Sequence, residues 1–339
     1  MTKWALLFNV VRFAIAAALV AFVVTRSSTE QVIGAVLGAD RLLVSGALLC
    51  LAVTLFCNAV RWRAIVARQG PELSVSVAVL GTLEGMFFNL FLPTSVGGDV
   101  ARAYRAFDKG VPLGVAIQSG IIDRALGLLA VAVLLLIACA FSPTITALPW
   151  FWAVVAVAIA GLLAATVAIL LGRALDQRRL PRWVAPLVEL AKVLGDTIGT
   201  RQFILKLLPL TIVANLMNCL ALWLCARATQ NQVGALDAIL ALEASSLAAL
   251  IPISIGGWGV REGATALIFG AVGNSSQSAV AAALVYGVVL IVVGLLGAVV
   301  WLFDPYRRSI AMKDAAVSAD IAEDRKPQPH EGPSTGAIE

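Results

Sequence analysis

Two short stretches carry chemistry in a chain that is otherwise almost solidly apolar. LPTSVGGDVARAY runs from Leu92 to Tyr104, and IPISIGGWGVREGA from Ile251 to Ala264. Aligned on Pro93 and Pro252, Ser95 meets Ser254, Gly97 and Gly98 meet Gly256 and Gly257, and Arg102 meets Arg261. Upstream, Glu84 meets Glu243, so both copies read E-x8-P-x-S-x-G-G-x3-R. Proline removes a backbone donor and ends the helix before it. Gly-Gly permits positive φ and close backbone approach. A helix restarting after Gly98 or Gly257 presents unpaired N–H groups, which favour an anion. Arg102 and Arg261 fall about one turn into those helices, and the pair can hold a phosphate from opposite sides. The competing reading is that Ser and Gly only let helices pack closely, each Arg pairing locally with an acid.

The other charges in the apolar runs extend this picture. Glu84 and Glu243 lie mid-run, where a carboxylate is costly. Each either pairs with an Arg of its own or the other hairpin or takes up a proton, and the second option permits proton coupling. Asp99 follows the first glycine pair and fits a helix cap; Glu262 follows Arg261. Asp123 and Arg124 interrupt a long run, and neighbours point about 100° apart on a helix, so they pair with different groups. Trp258 either plugs a cavity or sits at the interface. Arg61, Arg63 and Arg68 read as orientation signals, with phosphate attraction a weaker addition, and Arg12 as a residue that snorkels to the inner surface. Gly81-x-x-x-Gly85 fits close helix packing.

These residues need elements to hold them, and composition names the class. The 339 residues are 60% hydrophobic and 13% charged, against about 25% charged in soluble domains. The expected fold is an all-α polytopic membrane protein. Apolar runs lie near 5–24, 42–60, 75–92, 113–141, 149–171, 207–226, 236–255, 264–273 and 278–303. The first reads as a retained span rather than a signal peptide. Cys50, Cys57, Cys139, Cys219 and Cys225 sit within such runs without C-x-x-C spacing and read as packing residues. The single histidine, His330, lies in the polar tail. That excludes His-based metal sites, His general bases and Ser-His triads from the membrane core. No catalytic residue, metal site or cofactor is expected. The net charge of +5 reflects loop bias rather than nucleic-acid binding.

Loop charges set the orientation. Arg61–Arg68 is basic, Arg173–Lys206 has seven Lys/Arg against three Asp/Glu, and Arg307, Arg308 and Lys313 follow the last run. All three belong in the cytoplasm. The uncharged loops Ser142–Pro149 and Gly273–Ser278 belong outside. The count closes if 75–108 dips in and returns to the cytoplasm while 236–273 dips from the outer face. That gives about six full spans and two re-entrant broken-helix hairpins related as an inverted repeat. Broken helices in such repeats mark a transporter's midplane site. Residues 1–303 form one transmembrane domain with halves near 1–141 and 149–303, and 304–339 a disordered cytoplasmic tail. Both termini are expected in the cytoplasm.

With its two motifs in a chain of this hydropathy, the sequence resembles the lysylphosphatidylglycerol synthase transmembrane-region family over roughly residues 5–305. This is the flippase-like domain of the multiple peptide resistance factor, which also occurs alone. The resemblance implies translocation of an anionic or aminoacylated lipid across a bacterial inner membrane. Some stand-alone members are associated with glycolipid, polyprenyl-phosphate or hopanoid pathways. The synthetase activity in the family name belongs to a separate cytosolic domain, so aminoacyl transfer is not implied here. The matching positions are Pro93, Ser95, Gly97, Gly98, Asp99 and Arg102, then Pro252, Ser254, Gly256, Gly257, Trp258, Arg261 and Glu262. Asp123 and Arg124 resemble an acid-Arg pair often seen after the first motif. The expected partners are a membrane lipid with an anionic headgroup and a lipid-synthesis enzyme, with no nucleic acid. The alternative function is a membrane-embedded transferase, with Asp99 and Glu262 as its acid/base groups, or an accessory subunit of such a pathway.

Overall fold

A computed structural model describes residues 29–91, 97–142, 151–174, 185–201, 203–249 and 259–303. The described elements are helical: α1 (Thr29–Leu37), α2 (Arg41–Ala67), α3 (Val75–Phe91), α4 (Gly97–Asp108), α5 (Leu113–Phe141) and α6 (Phe151–Ala174). They continue as α7 (Ala185–Ile198), a π-helical turn (Phe203–Leu207), α8 (Leu208–Ala228), α9 (Ala235–Ala248), α10 (Val260–Ala271) and α11 (Ser276–Phe303). The chain divides after Ala298 into two units; the packing below is that of the first. The first apolar run, 5–24, lies outside the described residues, as do Arg12 and the expected tail.

Five described helices are long and apolar enough to cross a membrane: α2, α5, α6, the π turn with α8, and α11. The 29 residues of α5 reach about 43 Å at 1.5 Å per residue, beyond a hydrocarbon core of about 30 Å. Large apolar side chains such as Phe56, Ile137, Leu163 and Val292 are exposed on the outer faces, as lipid contact requires. The protein is a polytopic all-α membrane protein. By contrast α3, α4, α9 and α10 have 17, 12, 14 and 12 residues. At the same rise the last three fall well short of a span.

The helices pack through small residues, since lipid tails offer no hydrophobic drive between spans. The largest interface joins α2 to α8. Ala47, Leu51 and Leu55 are buried in one cluster with Ala221, Leu222 and Cys225. Thr54 Oγ1 donates across it to the Ala214 carbonyl at 3.1 Å. Asp40 caps α2 by accepting from the Leu42 and Leu43 N–H groups, and its own N–H donates to the Ala228 carbonyl. Asn231 ties the end of α8 to the start of α11 through the Ser278 carbonyl at 2.7 Å. α3 packs on α4, and α9 on α10.

Two departures from the sequence reading matter for the site. The basic stretch expected as a loop at 61–68 is the last two turns of α2, with Trp62 fully buried and Arg61 nearly so. The helix continues because α5 supplies a carboxylate to Arg61. The stretch expected as a loop at 173–206 contains α7, which packs against α6. Gly172 makes that contact possible, since a Cβ there would lie 2.7 Å from the Lys192 backbone nitrogen.

Candidate functional site

α2, α4 and α5 meet where an apolar bundle would least be expected to hold charge. Asp123 on α5 accepts from Arg61 Nε of α2 at 2.7 Å through Oδ1. Its Oδ2 accepts from Arg102 of α4 at 3.0 Å. Arg102 donates to Asp99 Oδ1, one turn back on α4, at 3.1 Å. Asp99 Oδ2 pairs with Arg124 of α5 at 2.8 Å. The result is a ladder, Arg61–Asp123–Arg102–Asp99–Arg124, with three cations on two carboxylates. Its inner rungs are nearly dry, whereas Arg124 is 35% exposed.

The ladder is braced from behind. Arg61 also donates to Thr211 Oγ1 of α8 at 3.3 Å. The Arg102 guanidinium lies 5.1 Å from the Trp62 ring centroid, a favourable cation–π distance. Trp62 is pinned in turn by its indole N–H, which donates to Ser119 Oγ at 3.1 Å. The α3–α4 hairpin is drawn tight at its glycines. A Cβ on Gly98 would collide with the Gly85 carbonyl and the Asn89 amide. Asn89 Oδ1 instead accepts the Gly98 N–H at 2.9 Å, satisfying one donor of the new helix start. The cap expected from Asp99 is therefore supplied by Asn89.

This ladder lines a cavity of about 390 Å³ formed by α2, α3, α4, α5, α8 and α9. Its other polar lining is neutral: Asn58, Asn89, Asn215, Asn218, Thr54, Thr82 and Ser246. Asn215 donates to the Thr211 carbonyl at 2.9 Å, and Asn218 Oδ1 accepts the Tyr286 hydroxyl at 2.8 Å. The cavity has three arginines and two carboxylates along one wall and amide and hydroxyl groups elsewhere, within the size range of small-ligand pockets. It suits an anionic group carrying further polar atoms.

Six expected site residues behave as a set: Gly98, Asp99, Arg102, Asp123 and Arg124 line the cavity, and Gly97 begins the helix that places three of them. Asp123 and Arg124 pair with different groups, as their angular separation requires. The remaining described ones lie elsewhere. Glu84 is fully buried against Arg105, not Arg102, at 2.5 Å. Arg102 lines the cavity, whereas Arg261 is not among its lining residues. Arg261 pairs with its neighbour Glu262 and lies over the Tyr286 ring at 5.5 Å. Glu262 Oε2 accepts the Gly259 N–H at 2.7 Å and caps α10. Gly259 has φ +81°, a conformation that favours glycine. Tyr286 and Asn218 link Arg261 to the cavity lining. Glu243, repeat mate of Glu84, accepts from the Cys219 thiol at 3.3 Å. Pro93, Ser95, Pro252, Ser254, Gly256, Gly257 and Trp258 lie outside the described residues.

Sequence reasoning reads Arg61 chiefly as an orientation signal and misses its place in the site, along with the four asparagines. A signal for them exists. Thr54, Asn58 and Arg61 fall at i, i+4, i+7 on α2, and Thr211, Asn215 and Asn218 repeat that spacing on α8. Each set marks a polar face on one of two helices that pack together.

A family model described as lysylphosphatidylglycerol synthase TM region matches residues 9–298. No curated protein matches the chain.

Proposed function

We propose, because the chain belongs to the lysylphosphatidylglycerol synthase TM-region family, that its Arg-lined cavity carries a lipid headgroup across the membrane. Membership and the apolar helices make it a multi-pass membrane protein with a lipid-related function. Translocation of an anionic-headgroup or polyprenyl-phosphate-type lipid is the finer reading. The observation that carries it is the ladder: three arginines on two carboxylates at a cavity among membrane helices. Such charge within a membrane is expensive and marks substrate paths. A phosphate competes with Asp99 for the exposed Arg124, while Arg61 and Arg102 keep the inner potential positive. The acyl chains stay in lipid.

In this reading the α3–α4 and α9–α10 pairs are re-entrant hairpins of an inverted repeat, and one repeat rocks against the other. Ser95, Ser254, Gly256, Gly257, Trp258, Arg261 and Glu262 then border the headgroup path at a different stage of that motion. The membrane is a bacterial inner membrane with both termini in the cytoplasm, and a lipid-synthesis enzyme supplies the substrate.

The test is a dithionite-quenching assay in liposomes containing purified protein. Headgroup-labelled phosphatidylglycerol is compared with a labelled lipid of neutral headgroup. Protein-dependent movement of the anionic lipid, slowed about tenfold in Arg124→Gln (~1.4 kcal/mol), is the expected result. Equal movement of the neutral lipid, or none of either by folded protein, rejects the reading.

A further inference from the structure

Glu243 is 1% exposed, on α9 in the middle of the bundle. Its repeat mate Glu84 has a guanidinium at 2.5 Å, from Arg105. Carrying the motif alignment forward, the position that matches Arg105 in the second copy is Ala264. The second copy therefore keeps the buried carboxyl but lacks the cation that neutralises the first.

Among the described residues, the neighbouring helices do not replace it. α8 brings Cys219 and Cys225, α5 brings Cys139, and α11 brings Tyr286 into the same buried cluster. α10 brings Arg261 and Glu262, and that arginine is engaged with that glutamate at 2.5 Å. The other α5 charges, Asp123 and Arg124, belong to the ladder. Among the described residues, the hydrogen-bond donor to Glu243 is the Cys219 thiol, and a thiol is a weak donor. A carboxylate held this way is destabilised, and proton uptake removes the charge.

The position also communicates with the cavity. Ser246, about one turn beyond Glu243 on α9, lines it. Asn218, next to Cys219 on α8, lines it too and accepts the Tyr286 hydroxyl. An occupant of the cavity thus touches the two turns that hold Glu243 and its thiol partner.

We propose that Glu243 is a proton-binding site linked to headgroup occupancy of the cavity, making this protein a proton-coupled lipid transporter. The coupling rests on the translocase reading above; the proton site does not. A proton adds to one carboxylate oxygen, converting a charged group to a neutral acid, and leaves by the same route; no other bond changes. An anionic headgroup disfavours a second negative charge nearby, so headgroup and proton bind together. By reciprocity each strengthens the other.

Two measurements on the full-length protein test this. Infrared spectra at neutral pH are expected to show a protonated-carboxyl C=O band in wild type that is lost in Glu243→Gln. Cys219→Ser, which offers a stronger donor to the same oxygen, is expected to shift that band to lower frequency. A wild-type spectrum identical to that of Glu243→Gln overturns the proposal. In liposomes, an imposed pH gradient is expected to change the rate of labelled phosphatidylglycerol movement severalfold for wild type, and not for Glu243→Gln. A variant that responds to the gradient as wild type does also overturns it. If the band behaves as expected but neither protein moves lipid, the proton site stands and the translocase reading falls.

Discussion

Removing one charge from Asp123 leaves two buried arginines facing each other. Asp123→Asn is therefore expected to destabilise the protein by about 3–5 kcal/mol, read as a lowered midpoint in thermal melting of the solubilised protein. Arg124, the exposed end of the ladder, belongs to another energetic class. An accessible ion pair contributes about 0–1 kcal/mol, so Arg124→Gln is expected to melt close to wild type while losing anionic-lipid movement. Asp99→Asn removes the internal competitor for Arg124. It is expected to retain anionic lipid severalfold more tightly, with neutral lipid unchanged, as measured by native mass spectrometry. The first motif was legible at this scale because its parts are neighbours: Gly97, Gly98, Asp99 and Arg102 lie within six residues. Arg61 was not, because its carboxylate lies 62 positions away. A basic residue at the end of an apolar run is equally well explained by orientation alone.

Among elements, the contact of α3 with α4 is set by two glycines. Gly98→Ala forces a Cβ onto the Gly85 carbonyl and Asn89, and overpacking of this kind costs about 1–3 kcal/mol. Gly161 on α6 has open space beside it. Gly161→Ala is expected to be neutral or to gain up to ~1 kcal/mol from helix propensity. Paired melts of the two variants separate packing from propensity. The helices themselves were largely written in the hydropathy pattern. The run expected over 113–141 is α5, Leu113–Phe141, and the run over 278–303 is most of α11. Pattern failed at α2, where the helix outlasts its apolar residues by two turns because the partner that satisfies Arg61 comes from another helix. It failed again over 173–206, where a charged segment still forms α7.

For the molecule as a whole, the re-entrant reading makes a count that chemistry can check. The native cysteines in the described residues are buried, so introduced thiols report with little background. Glu72→Cys and Lys109→Cys, flanking α3 and α4, are expected to react with an impermeant reagent from one face. Gln232→Cys and Asn274→Cys, flanking α9 and α10, are expected to react from the other. Labelling of either pair from opposite faces shows that its helices cross together. The arginines of the ladder have a further consequence, for leakage. A polar cavity inside a membrane protein invites stray protons and sodium ions, which would dissipate the membrane potential. One positive charge about 6 Å from such an ion raises its energy by ~3 kcal/mol at an effective dielectric constant of about 20. That lowers cation occupancy more than a hundredfold, about tenfold for each 1.4 kcal/mol. If the cavity takes an anionic headgroup as proposed, the same arginines insulate the membrane against cations, and neutralising them is expected to appear as ion leak even with no lipid present.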